Sequence, residues 1–188
     1  MPMNQISINE NLRLQSFNKN NANAYVGLMQ TYRALLAESF EPNLKQLDSL
    51  GDKVAIDEIL EHQKKGYYQW WLLQYQPNDQ FIGAVYIHFF EDNRKCSLGY
   101  FVIPEYSRKG YITQSVQQML VYCFNHKGMH KVIIKAEPSN LASQRIAEKC
   151  GFVNLGILRQ ELLTLTGETK DLAYYELLKK VWEKGLAV

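Results

Sequence analysis

A mixed α/β domain, its sheet mainly antiparallel with at least one parallel crossover, is what this sequence predicts, and three observations predict it. Runs at 67–75, 81–90 and 98–103 are rich in aromatic and β-branched residues and are separated by the turns Pro77-Asn78-Asp79 and Glu91-Asp92-Asn93-Arg94. Short turns between successive strands imply an antiparallel meander. From 98 to 136 the chain reads strand, loop, helix, strand, and a crossover through a helix normally joins parallel strands. Finally, 188 residues with 46% apolar and 21% charged side chains suit one soluble globular core, with no repeat, low-complexity tract or linker in view. A single domain over 1–188 is expected.

Taken in order, Leu12-Arg13-Leu14-Gln15-Ser16-Phe17 alternates apolar and polar residues as a half-buried strand does. The asparagine-rich piece 18–23 offers helix caps, and Tyr25, Leu28, Met29, Tyr32, Leu35 and Leu36 then recur at helical spacing. A loop containing Pro42 and Gly51 is expected to lead into a second helix over 54–65, with Asp52 as its cap and Gly66 as its stop. The meander follows. Ile112, Val116, Met119, Leu120, Cys123 and Phe124 then fall on one helix face, with Gln114, Gln117 and Gln118 opposite. Gly128 ends that pattern and 131–136 reads as a strand. Pro138-Ser139-Asn140 opens a short helix with Ala142, Ile146, Ala147 and Cys150 inward, closed by Gly151. A hairpin of 156–165 and 170–178 about Thr166-Gly167-Glu168, then a basic turn with Trp182, completes the chain.

Composition narrows the function. A net charge of +2 gives no reason to propose nucleic acid as a partner. Cys96, Cys123 and Cys150 are odd in number, widely spaced and set in apolar segments, the pattern of buried free thiols in a reducing compartment. No basic region followed by an apolar one opens the chain and no long apolar run interrupts it, so a cytoplasmic protein without a membrane partner is expected. His126 and His130 stand four apart across Gly128 with no carboxylate or cysteine to complete a set, so no metal is expected.

The stretch 98–124 carries the chemistry. In Ser107-Arg108-Lys109-Gly110-Tyr111-Ile112-Thr113 two cations flank a helix start, where unbonded N–H groups and the helix dipole favour an anion, and Gly110 lets backbone approach a phosphate. A basic turn whose glycine merely bends the chain is the plain alternative.

This layout, together with GYFVIPEYSRKGYITQSV at 99–116, EPSNLASQRIAEKCGF at 137–152 and GETKDLAYYELLKKVWE at 167–183, resembles the GNAT superfamily of acetyl-CoA-dependent N-acetyltransferases, and within it the RimJ/RimL type that acetylates ribosomal protein N-termini. The resemblance runs over nearly the whole chain. It implies the GNAT fold, a mixed, mostly antiparallel sheet of about seven strands flanked by about four helices. It also implies acetyl-CoA as co-substrate and direct transfer in a ternary complex to a protein N-terminal α-amine or a small-molecule amine. Its relatives occur as monomers and dimers, so a homodimer is open. A non-catalytic acetyl-CoA or partner-binding module is the reading from another class.

By the same resemblance the loop residues Ser107, Arg108, Lys109, Gly110, Tyr111, Ile112 and Thr113 hold the cofactor pyrophosphate. Backbone groups of Phe101, Val102 and Ile103 bond its pantetheine arm, and Asn140 contacts it. Two positions depart from the family pattern: Ser107 stands where Arg or Gln is usual, and Ile112 where a small residue is usual. Arg108 and Lys109 would then supply compensating charge. Ser143 is the implied residue near the thiol, where helix capping by Ser139, Asn140 and Ser143 is the competing explanation. Glu161 is the nearest match to the family's strand glutamate and the expected base, with Glu91 as runner-up. One residue extra between Gly156 and Gly167 makes the alignment slip there, and a one-residue slip in a strand reverses the face of a side chain. Ser97 stands where many relatives carry a glutamate. His88 reads as a half-buried strand residue, and Tyr67, Tyr68, Trp70 and Trp71 as sheet core or a substrate groove.

Overall fold

The computed structural model of the chain describes residues 3–32, 41–90, 93–164 and 167–185. Short β1 (Gln5–Ser7) and the alternating β2 (Leu12–Ser16) form an antiparallel pair with Ile6 opposite Leu14. Helices α1 (Ala22–Thr31) and α2 (Glu41–Lys64) precede β3 (Tyr68–Tyr75). A 3-10 turn, Gln76–Asn78, and Asp79 in the left-handed region at φ 57° swing the chain into β4 (Gln80–Phe90). Next come β5 (Lys95–Val102), α3 (Tyr111–Val121) with a π turn at Tyr122–His126, and β6 (Lys131–Ala136). The chain then forms α4 (Leu141–Lys149), β7 (Val153–Leu163), β8 (Thr169–Leu178) and α5 (Lys179–Gly185).

Hydrogen bonding orders the strands β1-β2-β3-β4-β5-β6-β8-β7. The crossover is parallel as expected, Lys95 to Leu98 of β5 facing Lys131 to Ile134 of β6. β8 is antiparallel to both β6 and β7.

The chain divides into two compact units, Met1–Tyr86 with Tyr100–Ser115, and Ile87–Gly99 with Val116–Val188. In the first, Phe17, Tyr25, Val26, Met29, Ala55, Ile59, Trp70, Leu72, Ala84 and Phe101 form one buried cluster. Trp71 and Leu73, on the opposite face of β3, are also fully buried. Trp70 and Trp71 are therefore core, whereas Tyr67 is exposed and Tyr68 half-buried. β4 and β5 approach unusually closely at Gly83, where an added Cβ would lie 2.2 Å from the Phe101 carbonyl oxygen. No residue but glycine fits there. In the second unit Val116, Met119, Leu120, Cys123 and Phe124, predicted as one helix face, are buried, as are Val132, Ile134, Tyr175 and Leu177.

Several expectations need correction. Pro42 and Gly51 lie within α2 rather than in a loop. Proline is tolerated in a first helical turn because its missing N–H has no partner there anyway, and one internal glycine costs only about 1 kcal/mol. The sheet has eight strands, β1 being too short to show alternation in sequence. The final basic segment is the helix α5, seated by Trp182 against Phe124 at 5.1 Å between rings. Asn21 precedes α1 without capping it by its side chain; it instead accepts from the Asn18 N–H and donates to the Ser16 carbonyl. Leu35, Leu36, Glu91 and Asp92 lie outside the described residues, as does Thr166 of the last turn, whose closure is visible in the Thr164 N–H bond to the Glu168 carbonyl at 2.7 Å. Cys96, Cys123 and Cys150 are free and buried.

Candidate active site

In the first unit β5 runs into Ile103, a 3-10 turn at Pro104–Tyr106, the exposed loop 107–110 and then α3. The Tyr106 N–H bonds the Ile103 carbonyl at 3.0 Å, and both the Ser107 N–H and its hydroxyl donate to the Pro104 carbonyl, the hydroxyl at 2.7 Å. Ser107 is thus turned into its own turn. Arg108 and Gly110 both adopt left-handed backbone, φ 59° and 78°. Residues alternating with left-handed neighbours turn successive N–H groups toward one point, the geometry of an anion nest. Gln114 is the residue whose N–H reaches back to Gly110, at 3.1 Å, so the helix rule leaves the preceding amides of Tyr111 and Ile112 to point out of the helix end. Ile112 is buried. The branched side chain therefore packs inward instead of covering the nest.

Around that loop stands a ring of aromatic residues. Lys109 Nζ lies 4.8 Å above the Tyr106 ring, and Tyr75 meets Tyr106 at 5.1 Å and stacks on Tyr111 at 6.0 Å. The Tyr106 hydroxyl donates to Gln80 Oε1 and accepts from Asn78 Nδ2, and Asn9 Nδ2 donates to Gln114 Oε1 at 2.7 Å. At the end of β5, Phe101 is buried and Val102 half-buried, and Ile103 just beyond it is buried. The Ile103 N–H is already committed to the Ile82 carbonyl at 2.8 Å. Strand alternation sends the Val102 backbone groups to the opposite edge from those of Ile103.

The remaining predicted residues belong to the second unit. Asn140 caps α4, its Oδ1 accepting from the Ser143 N–H at 3.0 Å. Capping occupies that oxygen and leaves the amide Nδ2 as the group Asn140 could offer a ligand. Gln144 fixes the same helix start, donating to the Pro138 carbonyl and accepting from the Tyr175 hydroxyl of β8.

Glu161 sits where β7 is irregular. The pairing jumps from Leu158 opposite Leu172 to Leu162 opposite Lys170, so three β7 residues face Asp171 alone. Gln160 takes left-handed backbone at φ 52° and its N–H bonds Asp171 Oδ1 at 2.8 Å. Bulges re-aim side chains. Here Glu161 accepts from the Tyr174 hydroxyl and from Lys135 Nζ at 3.1 Å, and Lys135 Nζ also lies 4.7 Å above the Tyr174 ring. Lys135 and Tyr174 are cross-strand partners on β6 and β8. The Tyr174 hydrogen bond, and after it Lys135, hold the Glu161 carboxyl below its usual range. Burial lowers the Lys135 ammonium, but Tyr174 and Glu161 outweigh that and leave it raised. Burial, then the Lys135 charge, push His88 below its ordinary value. A carboxylate stabilised in this way is a weak proton acceptor.

Sequence reasoning missed Lys135 and Tyr174, as it missed the tyrosine ring around Lys109. Single lysines and tyrosines carry no motif, and which of them meet is fixed by cross-strand register. Among the described residues no group of three His, Cys, Asp or Glu side chains could hold a metal. No helix there is long and apolar enough to cross a membrane.

Comparison with known proteins follows the same lines. The family model described as the acetyltransferase (GNAT) domain matches residues 11–153. "Putative ribosomal N-acetyltransferase YdaF" of Bacillus subtilis (strain 168) is 34% identical over 102 residues, 54% of this chain and 55% of that protein. The chain thus spans little more than half the length of that relative. The ribosomal-protein-serine acetyltransferase of Escherichia coli (strain K12) is 23% identical over 157 residues, 82% of this chain and 86% of that one. Among solved structures, the ribosomal L7/L12 α-N-protein acetyltransferase RimL in complex with coenzyme A superposes with a TM-score of 0.81 at 19% identity, over 93% of this chain and 97% of that one. At that identity the likeness is one of fold.

Proposed function

The chain belongs to the GNAT acetyltransferase family, and on that premise we propose that it transfers acetyl from acetyl-CoA to the N-terminal α-amine of a protein, of the ribosomal-protein type, in a ternary complex in the cytoplasm. The nest over 108–112 takes the pyrophosphate, Val102 offers backbone groups to the pantetheine arm, and Asn140 Nδ2 donates to the cofactor. The neutral amine attacks the thioester carbonyl, the carbon–nitrogen bond forms, and the carbon–sulfur bond breaks as the tetrahedral adduct collapses. The amine gives up one proton and the departing thiolate takes one, with Ser143 beside the sulfur.

The observation that carries the choice of acceptor is the state of Glu161. Held anionic by Tyr174 and Lys135, it is poorly matched to stripping a proton from an ammonium, and it serves better to steady the positive nitrogen of the adduct while water takes the proton. Such a site needs an acceptor that is partly neutral already. An α-amine, with pKa about 7.7 to 8.0, is neutral in roughly one molecule in ten at pH 7, whereas a lysine at about 10.4 is neutral in roughly one in two thousand. The E. coli relative named for acetylating a ribosomal-protein serine supports the same class.

Calorimetric titration with acetyl-CoA is the first test, with Gly110→Glu as control. An added Cβ meets only Gln114 Nε2, at 3.8 Å, so the variant acts through its φ of 78° and through the reach and charge of its carboxylate at the nest. Saturable binding by the unmodified protein that Glu abolishes supports the cradle. Acetyl transfer to free-amine peptides, and not to the same peptides N-formylated with an internal lysine, supports the acceptor. Transfer only to small amines moves the assignment to that class. Absence of binding at millimolar acetyl-CoA would favour a non-catalytic module.

A further inference from the structure

We propose that Tyr106 is a positioning residue for acetyl-CoA, holding Lys109 as a fixed cation at the edge of the phosphate loop. The inference rests on the acetyl-CoA reading of that loop and adds to it a framework of aromatic residues. Ser107 brings no charge to the loop, and its hydroxyl is spent on the Pro104 carbonyl. The loop therefore needs its charge from elsewhere. Lys109 is exposed, and an exposed lysine ordinarily samples many rotamers, so most of its charge is spread through solvent. Here Nζ instead folds back over the ring three residues earlier, at 4.8 Å. The ring face satisfies the ammonium electrostatically yet accepts none of its N–H bonds in the ordinary sense, so those donors stay available to a phosphate oxygen.

The ring can do this because it is itself immobilised. Asn78 donates to its hydroxyl at 3.0 Å, and that hydroxyl donates to Gln80 at 3.1 Å. Tyr75 of β3 lies 5.1 Å away and Tyr111, the first residue of α3, 6.4 Å. Tyr75 and Tyr111 stack on one another at 26°. The framework thus joins the strand and the 3-10 turn to the helix start whose amides face the nest. Glu105, the carboxylate next to Tyr106, accepts from the Tyr32 hydroxyl at 3.2 Å.

A double-mutant cycle read by calorimetry tests this, using acetyl-CoA and, as a probe without its nucleotide phosphates, acetyl-pantetheine. Lys109→Met should weaken acetyl-CoA about three- to tenfold and leave acetyl-pantetheine unchanged. Tyr106→Leu should reproduce most of that loss, Tyr106→Phe, which keeps the ring but loses the bonds to Asn78 and Gln80, should lose less than Tyr106→Leu, and the double variant should be no weaker than Lys109→Met alone. Additive losses, or equal losses for both ligands, would overturn the inference. Should Tyr106→Leu not fold, the unmodified protein decides by NMR. Lys109 Hε resonances shifted upfield by the ring, and moving when acetyl-CoA is added, support the clamp, and unshifted resonances refute it. Failure of the unmodified protein to bind acetyl-CoA overturns the cofactor reading itself, whereas binding that Lys109→Met does not alter overturns only this inference.

Discussion

Gly83→Ala is the sharpest perturbation the structure offers. A methyl group at that position would lie 2.2 Å from the Phe101 carbonyl oxygen, 2.9 Å from Val102 Cα and 3.1 Å from the Phe101 carbonyl carbon, all backbone atoms. An ordinary carbon to oxygen contact is no closer than about 3.2 Å, so β5 must retreat from β4 by roughly 1 Å, which no side-chain rotation can absorb. The retreat stretches the Ile103 N–H bond to the Ile82 carbonyl, now 2.8 Å, and loosens Phe101 in the core. Overpacking of about 1 to 3 kcal/mol and a hydrogen bond worth about 1 kcal/mol give a loss of roughly 3 kcal/mol. For a domain of this size that lowers Tm by about 6 to 12 °C. Thermal unfolding followed by circular dichroism, with urea midpoints as a second measure, reads the loss directly. A Gly83→Ala protein melting within about 2 °C of the unmodified one would show that β5 yields freely, and the close-approach argument would be wrong.

Two further perturbations test the second unit. Lys135→Met removes the positive charge that holds down both Glu161 and His88, so both should titrate at higher pH, read from carboxyl carbon and imidazole proton shifts; if neither moves, Lys135 is not their common cause. The sign for stability follows. Glu161, depressed when folded, contributes above the ordinary carboxylate range and loses that contribution as pH falls through its folded value, and Lys135→Met should flatten this acid loss. Asn140→Asp keeps an oxygen for the Ser143 N–H and so should keep Tm, but it removes the Nδ2 donor and should weaken acetyl-CoA. Asn140→Ala should lose the affinity and also about 1 kcal/mol of stability, measured by the same titration and melt. Unaltered affinity in both would confine Asn140 to capping.

What the sequence determined by itself is whatever is encoded over short spans. Period-two runs and turn residues placed β3 and β4, and the 3.6-residue period placed α3 with its buried Val116, Met119 and Leu120. Gly110 followed by a helix start marked the loop 107–113, whose backbone turn is set within seven consecutive residues. The cap at Asn140 was likewise local. Tertiary structure alone decided which distant residues meet. Register on the sheet put Lys135 beside Tyr174, and the bulge at 159–161 turned Glu161 onto both. Packing brought Tyr75 and Asn78 to Tyr106, and Gly51 lies inside a helix that its own propensity opposes. The physical reason is one of range. Backbone dihedral preferences and side-chain period act over a turn or two, whereas a cross-strand pair or a clash at Gly83 exists only after strands far apart in the chain have come within bonding distance.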